Sequence, residues 1–400
     1  MTTAVVSVYK VASFPDGGGH FWVYLQYALG LRRLGCEVYW LEQLRPARDP
    51  ERGAAMLSTF LKRMKQFGFE GRTLLYTVDS SPQFIGCTTA EAEAVLRRAD
   101  VLLNFHYAIH PRLLGCARRT ALVDIDPALL QFWMSGGQLD VPPHDRYLTT
   151  GETVGTPAAR FPDCGLPWIH IRPPVCLDQW PVTSDRRAEA FTTVSSWSSA
   201  SWLKVNRDGQ TVLVDNTKRV SFLDFVDLPR HTSQPLELAL YLLDRDPEGQ
   251  ARLKQAERDA EDRARLERQG WRVRDSREVT GSPEAYRSYI QRSRGEFSAA
   301  KPSCMDFQNA WVSDRTLCYL ASGKPAVVQH TGPSSYLPDD EGMFRFTSLQ
   351  EAAQGLETIN AHYEHHCAAA RDIAETHFDA QRVLETALNA VLSPSLESVP

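Results

Sequence analysis

The hydrophobic positions of the first 125 residues alternate between short apolar runs and longer stretches with helical spacing. The pattern predicts a strand over 4–8, a glycine loop over 17–19, a helix over 20–34 and a second strand over 37–41. Further strands are predicted over 73–78, 101–105 and 121–125, with helices over 54–67 and 89–98 between them. Strands separated by helices in this way predict an α/β fold with a parallel, doubly wound sheet.

The hydrophobic pattern changes between residues 142 and 181, where eight prolines occur without a sustained helical period. We interpret this segment as the end of one domain and the crossing into the next. The alternation then resumes, with strands predicted over 191–194, 236–242, 271–274, 296–299 and 326–329, and helices over 216–225, 247–269, from 282 onward, 314–321, 349–363 and 379–391. The sequence therefore predicts two Rossmann-like domains, 1–180 and 181–376, followed by a helix and tail over 377–400 whose last eight residues are expected to fray.

Composition and charge limit the classes of partner that the chain is expected to bind. The 400 residues are 43% hydrophobic and 23% charged, and 44 basic against 49 acidic side chains give a net charge of −5. A chain with this balance has no general attraction to nucleic acids or anionic membranes, so any bound anion must be held locally. The interspersed charges of 244–268 predict a solvated helix face.

The cysteines and the apolar runs indicate the compartment. The eight cysteines are scattered, without C-x-x-C pairs or zinc-ligand spacing, and no apolar run approaches a membrane span. We expect reduced thiols in a cytoplasmic protein without a signal peptide or a membrane span, present as a monomer or homodimer.

The first candidate site is the glycine loop that opens the first helix. Gly18 and Gly19 let the backbone approach a ligand closely, and the following His20 would lie at the carboxyl edge of the sheet, where such folds bind ligands. A neutral imidazole there suits a general base, although a histidine that merely packs at the helix start fits the spacing equally well. The loop is not G-x-G-x-x-G, which gives little support to NAD binding.

The second candidate site is the acidic turn after the strand at 121–125. Asp124 or Asp126 could accept the hydrogen bond of the other imidazole nitrogen of His20 and fix its tautomer. Alternatively, one of the two caps the helix that begins at Pro127.

The third candidate site lies in the second half. A predicted helix starts at Ser313 and Asp314 with Arg315 in its first turn, and the strand over 326–329 leads into Thr331 and Gly332. Backbone N–H groups, a hydroxyl and a guanidinium are the parts of a pyrophosphate site. Asp314 could equally be a plain helix cap.

These motifs support a resemblance. The segments Gly295–Lys301, Ser313–Arg315, Cys318–Pro325, Gln329–Gly332 and Ala370–Leu384 resemble bacterial glycosyltransferases of the GT-B fold, the family-one or glycosyltransferase-like proteins. The likeness is most specific over 296–384 and extends more loosely through 191–197 and 223–229. In the first half it rests on the loop ending in His20 and on 124–127.

The resemblance implies two Rossmann domains facing a cleft, with the acceptor on the first, a nucleotide-sugar on the second, the C-terminal helix returning to the first, and usually no metal or other cofactor. It places His20 at the position of the catalytic base of inverting members, with Asp124 or Asp126 as the supporting carboxylate. The diphosphate would meet the following residues of the second domain: Ser195, Ser196, Lys218, Arg219, Ser313, Arg315, Thr331 and Gly332. The nucleobase would lie near Asp275–Val279.

Two departures shape the functional hypothesis. Retaining members often carry glutamates where this chain has Ala310 and Cys318, and the plant-type His-Cys-Gly-Trp signature is absent, so the nucleobase is not specified. We therefore expect an inverting, metal-independent transfer to a hydroxyl or amine of a small molecule, such as a natural product. The alternatives are a sugar-nucleotide epimerase or phosphorylase, a non-catalytic sugar-nucleotide or partner-binding module and, more remotely, a dehydrogenase.

Overall fold

Two mainly parallel sheets organise the chain, one in each of two units. The computed structural model describes residues 1–45, 49–185, 187–198, 202–207, 210–242 and 250–393. Unit 1 comprises Met1–Cys176 and Phe378–Pro400, and unit 2 comprises Leu177–His377. The first residues of the predicted charged helix, 247–249, and the tail over 394–400 lie outside the described residues. Within the described ranges, no helix is both long and apolar enough to cross a bilayer.

Unit 1 is built on a sheet of eight strands in the order β4-β3-β2-β1-β5-β6-β7-β8, parallel except for the β3–β4 pair. Its strands are β1 (Thr3–Val8), β2 (Glu37–Gln43), β3 (Thr73–Val78), β4 (Pro82–Ile85), β5 (Val101–Asn104), β6 (Thr120–Asp124), β7 (Arg146–Thr149) and β8 (Trp168–His170). Its helices are α1 (Gly18–Arg33), α2 (Pro50–Gln66), α3 (Thr89–Arg98), α4 (Pro111–Leu114), α5 (Leu129–Ser135) and, from the end of the chain, α14 (Ala380–Leu392).

Unit 2 is built on a parallel sheet of six strands in the order β13-β12-β9-β14-β15-β16, with a separate antiparallel hairpin β10–β11. Its strands are β9 (Phe191–Ser196), β10 (Trp202–Arg207), β11 (Gln210–Asp215), β12 (Leu236–Tyr241), β13 (Arg272–Asp275), β14 (Gly295–Ser298), β15 (Ala326–Gln329) and β16 (Met343–Phe346). Its helices are α6 (Lys218–Asp224), α7 (Gln250–Gln269), α8 (Ser276–Thr280), α9 (Pro283–Gln291), α10 (Pro302–Phe307), α11 (Asp314–Ala321), α12 (Leu349–Ala361) and α13 (Tyr363–Ile373).

Each unit has its own apolar core beneath its sheet. In unit 2 the rings of Phe297 and Phe346 stack with centroids 5.4 Å apart, and Phe222 and Trp271 pack around Phe297. In unit 1 the central strands β1 and β5 bury every residue, which is typical of parallel sheets covered on both faces. The predicted fold class of two Rossmann-like domains is confirmed.

The last helix belongs to unit 1, as the resemblance implied. Val175 N donates to Phe378 O at 2.8 Å, and the next residues form α14, which packs against α1. The fit is close at Gly30 of α1, where an added Cβ would lie 2.4 Å from Leu384 Cδ1. A side chain at Gly30 would therefore push α14 away from the helix that carries His20.

The segment 142–181 contains the last two strands of unit 1, which the sequence pattern did not predict. β7 and β8 lie within it and extend the first sheet beyond β6. These strands have four and three residues and lie among prolines, so they are too short to produce a hydrophobic period. The chain enters unit 2 only at Leu177.

Candidate functional site

The first residue of α6 is a buried lysine at the carboxyl edge of the sheet of unit 2. Lys218 is 8% exposed, and its Nζ donates to Ala299 O at 2.5 Å and lies 5.6 Å from the ring centroid of Trp311. Among the described residues, no carboxylate forms an ion pair with it. Burial, reinforced by the nearby Arg315 charge, lowers the pKa of Lys218 to about 7. An anion placed there would stabilise the ammonium form.

Buried hydroxyl groups accompany Lys218. The Oγ1 of Thr217 and the Oγ of Ser303 have no hydrogen-bond partner among the described residues, although both side chains are at most 5% exposed. Asn216 links the two segments, because its Oδ1 accepts from Ser303 N at 2.8 Å. Polar atoms are rarely buried without partners, so these hydroxyls are candidates for contacts with a bound ligand. Neither was predicted, because a lone serine or threonine at the start of a helix has no sequence pattern that distinguishes a ligand contact from a cap.

Two of the predicted phosphate contacts lie together beside this lysine. Ser313 and Thr331 line one cavity, at the carboxyl ends of β14 and β15, together with Ala299 and Trp311. Thr331 Oγ1 donates to Trp311 O at 2.6 Å, and Ser313 caps α11 by accepting from Arg315 N. Asp314 follows as the first residue of α11.

The loop between α10 and α11 requires an unusual backbone at this cavity. Gln308 and Ala310 have φ values of 52° and 54°, in the left-handed region that non-glycine residues rarely adopt. Gly332, with φ of 139°, packs against the same loop, and a Cβ there would lie 2.5 Å from Gln308 O. The predicted importance of Gly332 therefore has a steric basis.

Arg315 has internal partners. Its Nε donates to Glu296 Oε1 at 2.6 Å, one terminal nitrogen donates to Val194 O at 2.7 Å and the other to Ser298 Oγ at 2.6 Å. The residue is 8% exposed and Glu296 is fully buried. The carboxylate of Glu296 keeps Arg315 charged and raises its pKa despite burial. These bonds tie α11 to β9 and β14, which gives Arg315 a structural role, and its expected contact with the diphosphate stays a prediction.

Two further predicted contacts are also occupied by protein groups. Arg219 forms a bidentate ion pair with Asp262 of α7, with N–O distances of 2.5 and 2.9 Å. Asp275 caps α8 by accepting from Arg277 N at 2.9 Å and pairs with the Arg277 guanidinium. The expected nucleobase loop at 275–279 is therefore largely helix. Ser195 and Ser196 end β9, where Ser195 Oγ donates to Ser196 O at 2.8 Å.

His20 lies in the first turn of α1, after Gly18 and Gly19, in unit 1. Its Nε2 lies 2.8 Å from Tyr9 O. A carbonyl oxygen only accepts, so Nε2 carries the proton and the lone pair of the neutral ring is on Nδ1. Burial lowers the pKa of His20 below its usual 6.5, while the bond to Tyr9 and the charge of Asp126 oppose that shift. The imidazole is thus held in one neutral tautomer, ready to accept a proton at Nδ1.

The predicted carboxylate partners of His20 have other positions. Asp124 is fully buried at the end of β6, and its oxygens accept from Gln131 Nε2, Thr149 Oγ1 and Asp126 N at 2.8–3.0 Å. Its burial raises its pKa to about 7. The backbone carbonyl of Tyr9, which sequence reasoning missed, takes the orienting role expected of an aspartate. Asp126 acts on His20 through its charge alone.

Comparison with known proteins completes the picture of the fold. No family model matches the chain, and no curated protein matches it in sequence. Solved structures match it over nearly its whole length. An α-glucosyltransferase in complex with UDP has 10% identity and a TM-score of 0.61, covering 98% of this chain and 100% of that one.

The fold is GT-B. Other GT-B neighbours include HepE from Anabaena in complex with UDP and glucose, at 11% identity and TM-score 0.57, covering 98% of this chain and 100% of that one. A glycosyltransferase from Rickettsia africae has 10% identity and TM-score 0.54, covering 97% of each chain. At these identities the comparison establishes the GT-B architecture, and the chemistry must be argued from the residues.

Proposed function

We propose that the protein transfers a sugar from a nucleoside-diphosphate sugar to a hydroxyl or amine of a small molecule, with inversion at the anomeric carbon. The observation that carries this proposal is Lys218, a buried lysine without an ion-pair partner among the described residues, at the carboxyl edge of a parallel sheet. Open α/β sheets bind their ligands at this edge. The GT-B fold favours a nucleotide-sugar as the anion, as do the ligands in the structures of two neighbours, UDP in one and UDP with glucose in the other.

The donor diphosphate would replace the carbonyl of Ala299 as the main partner of Lys218. Thr217 and Ser303 would supply hydroxyl contacts, and Ser313, Thr331, Gly332 and the end of β9 at Ser195 and Ser196 would surround the remaining phosphate oxygens. Negative charge develops on the leaving diphosphate in the transition state, so a fixed cation favours the reaction as well as binding. We propose that Lys218 takes the role that a metal ion has in other transferases, so that no metal or other cofactor is needed.

The acceptor would be activated in unit 1. His20 Nδ1 takes the proton of the acceptor hydroxyl, the oxygen attacks the anomeric carbon, and the bond from that carbon to the phosphate oxygen breaks. The Nε2–H group remains hydrogen-bonded to Tyr9 O during this step, and the charge of Asp126 stabilises the imidazolium that forms. The nucleoside diphosphate leaves with the electron pair of the broken bond.

A donor screen tests the proposal. Thermal unfolding is measured with UDP-glucose, other nucleoside-diphosphate sugars and NADP, with and without EDTA. We expect at least one nucleotide-sugar to raise Tm, since a ligand at about 100 times its Kd adds about 2.7 kcal/mol. The anomeric configuration of the product, read by NMR, should be opposite to that of the donor.

Three results would contradict it. If no nucleotide-sugar raises Tm, donor binding is wrong. If the donor alone is converted, or conversion requires inorganic phosphate, the protein is an epimerase or a phosphorylase. If the donor binds without any turnover across a panel of small-molecule acceptors, the protein is a binding module.

A further inference from the structure

The loop after β1 joins two features of unit 1 that the proposed mechanism does not use. Its first residue, Tyr9, stacks on His106, which follows β5, and Lys10 lies over the Tyr9 ring. Its later residues, Ala12 and Ser13, line a cavity. Glu42 of β2 fixes this path, because its carboxylate accepts from Ala12 N at 2.7 Å. The loop therefore places the surroundings of His106 and the cavity next to each other.

His106 has a buried polar atom without a partner. Its ring stacks on Tyr9 with centroids 5.1 Å apart and an interplanar angle of 25°, and it is 5% exposed. Its backbone N donates to Asn104 Oδ1, but among the described residues its Nδ1 has no hydrogen-bond partner. Tyr9, whose ring stacks on His106, also holds His20 through its carbonyl oxygen. Tyr9 therefore contacts both His106, which carries the unpaired Nδ1, and His20, the proposed base.

Two cations flank His106. Lys10 Nζ lies 4.8 Å from the ring centroid of Tyr9, and Lys10 adopts a left-handed backbone with φ of 57°. Arg45 lies at the rim of the cavity, and both side chains are exposed. Burial, together with the positive charges of Arg45 and Lys10, lowers the pKa of His106 to about 4. Within the described ranges no carboxylate pairs with either cation.

The cavity beside Arg45 is apolar. It has a volume of about 350 Å³ and is lined by Leu44, which follows β2, and by residues of α2, β3 and β4, chiefly Met56, Leu57 and Ile85. That volume is within the range of small-molecule sites, which are mostly apolar with a few placed polar groups. Here the polar lining residues are Ser13, Thr77 and the cation Arg45.

We propose that the acceptor of the transfer is an apolar molecule that carries a carboxylate or phosphate, and that Lys10, Arg45 and the Nδ1 of His106 hold this anionic group while the apolar part occupies the cavity. Charge-assisted hydrogen bonds to an anion would satisfy the buried nitrogen and the two cations together. The hydroxyl or amine to be glycosylated would then lie on the side of the anion that faces Tyr9 and His20. This inference rests on the proposed function only where it calls the ligand an acceptor.

Binding of three matched probes tests the proposal. Calorimetry measures 4-phenylbutyrate, 4-phenylbutyl phosphate and the neutral 4-phenylbutanamide on the full chain. We expect the better of the two anions to bind at least about 10-fold more tightly than the amide, a difference of about 1.4 kcal/mol. Whether the carboxylate or the phosphate binds better identifies the anionic group. The ¹⁵N signals of His106 should shift with that anion and not with the amide.

Variants separate this site from the rest of the protein. The double variant Lys10→Met/Arg45→Met should lose the preference for the anion, and His106→Gln should reduce it. Arg118→Met removes the same charge as either single change, but Arg118 pairs with Asp100 just before β5, at the opposite edge of the sheet, and should leave the preference intact. UDP-glucose binding should be unchanged in all of them.

Several outcomes would overturn the proposal. Equal binding of the amide and both anions, a preference that survives in the double variant, or no binding of any probe would each contradict it. The signals of His106 in the folded wild-type protein give an answer even if His106→Gln does not fold. If a nucleotide-sugar from the donor screen binds and is turned over while the anion preference is absent, this inference fails and the proposed function stands. If the anion preference is present but no nucleotide-sugar binds, the proposed function fails and the anion site stands.

Discussion

The carboxyl edges of the two sheets carry buried titratable groups of opposite character. In unit 1, burial lowers the pKa of His20 and His106, which keeps both imidazoles neutral near pH 7. In unit 2, Lys218 and Arg315 are buried cations. Desolvation acts in the same direction on all four, since it disfavours the charged form. The first edge is therefore suited to accept a proton and the second to hold a negative charge.

The two buried cations of unit 2 also differ from each other. Arg315 is paired with the buried Glu296 and makes two more hydrogen bonds to the protein, whereas Lys218 has one carbonyl oxygen and an aromatic ring. A paired cation stabilises the fold, and an unpaired one is available to a ligand. Both residues are charged and buried, so their hydrogen-bond partners are what distinguishes a structural cation from one that can bind a ligand.

The largest expected effect concerns the base. His20→Ala should lower turnover by about 100- to 10,000-fold, the usual contribution of a general base, while donor affinity stays unchanged. His170→Ala is the matched control, because His170 also bonds a backbone carbonyl through Nε2, that of Val154 at 2.7 Å, but lies in the edge strand β8. Steady-state kinetics with a donor found by the screen measure both. Equal turnover in the two variants would remove His20 from the mechanism.

The next effect concerns architecture. Arg315→Met should destabilise unit 2 by about 3–5 kcal/mol, because it leaves Glu296 buried and unpaired. Adding Glu296→Gln should recover part of that loss, which denaturant unfolding would show. An Arg315→Met protein with unchanged stability and lost donor affinity would instead make Arg315 a donor ligand.

A smaller effect concerns Lys218. Lys218→Met should weaken donor binding at least about 10-fold, about 1.4 kcal/mol, and raise Tm by about 2–4 °C, because it removes a buried charge without an ion-pair partner. Lys324→Met is the control: Lys324 is also buried with a pKa lowered by burial, but it precedes β15, at the amino edge of the sheet. It should raise Tm similarly without affecting the donor. Loss of donor affinity in both variants would refute a specific role for Lys218.

The smallest effect is on the pH dependence. The sheet edge of unit 1 should determine the acid limb of the profile, and the sheet edge of unit 2 the alkaline limb. Below the lowered pKa of His20 the base is protonated, so kcat/KM should fall up to about tenfold per pH unit in acid. Above pH 7 the free protein loses the Lys218 proton, so donor affinity should fall by up to the same factor. Calorimetric titration of UDP-glucose from pH 6 to 9 isolates the alkaline limb. An affinity independent of pH would contradict the assignment to Lys218.

The sequence predicted the long elements and the edge at which each site lies, because hydrophobic periods and strand-to-helix loops are local properties. It did not predict which side chains are already paired. Arg315 and Arg219 were predicted as phosphate ligands. Their carboxylate partners, Glu296 and Asp262, lie 19 and 43 residues away along the chain, so the sequence alone does not show these ion pairs. Tyr9 was missed for a similar reason: it orients His20 through a backbone carbonyl, which every residue possesses.

The return of α14 to unit 1 has a consequence for synthesis on the ribosome. All eight strands of the first sheet leave the exit tunnel before unit 2 does, yet the helix that packs against α1 is translated after unit 2. The apolar face of α1 around Gly30 therefore stays uncovered until unit 2 has been translated. A premature stop codon before α14 would thus leave all of unit 2 in the chain but remove a helix from unit 1, which carries His20, so truncated chains should depend on chaperones that bind apolar surfaces.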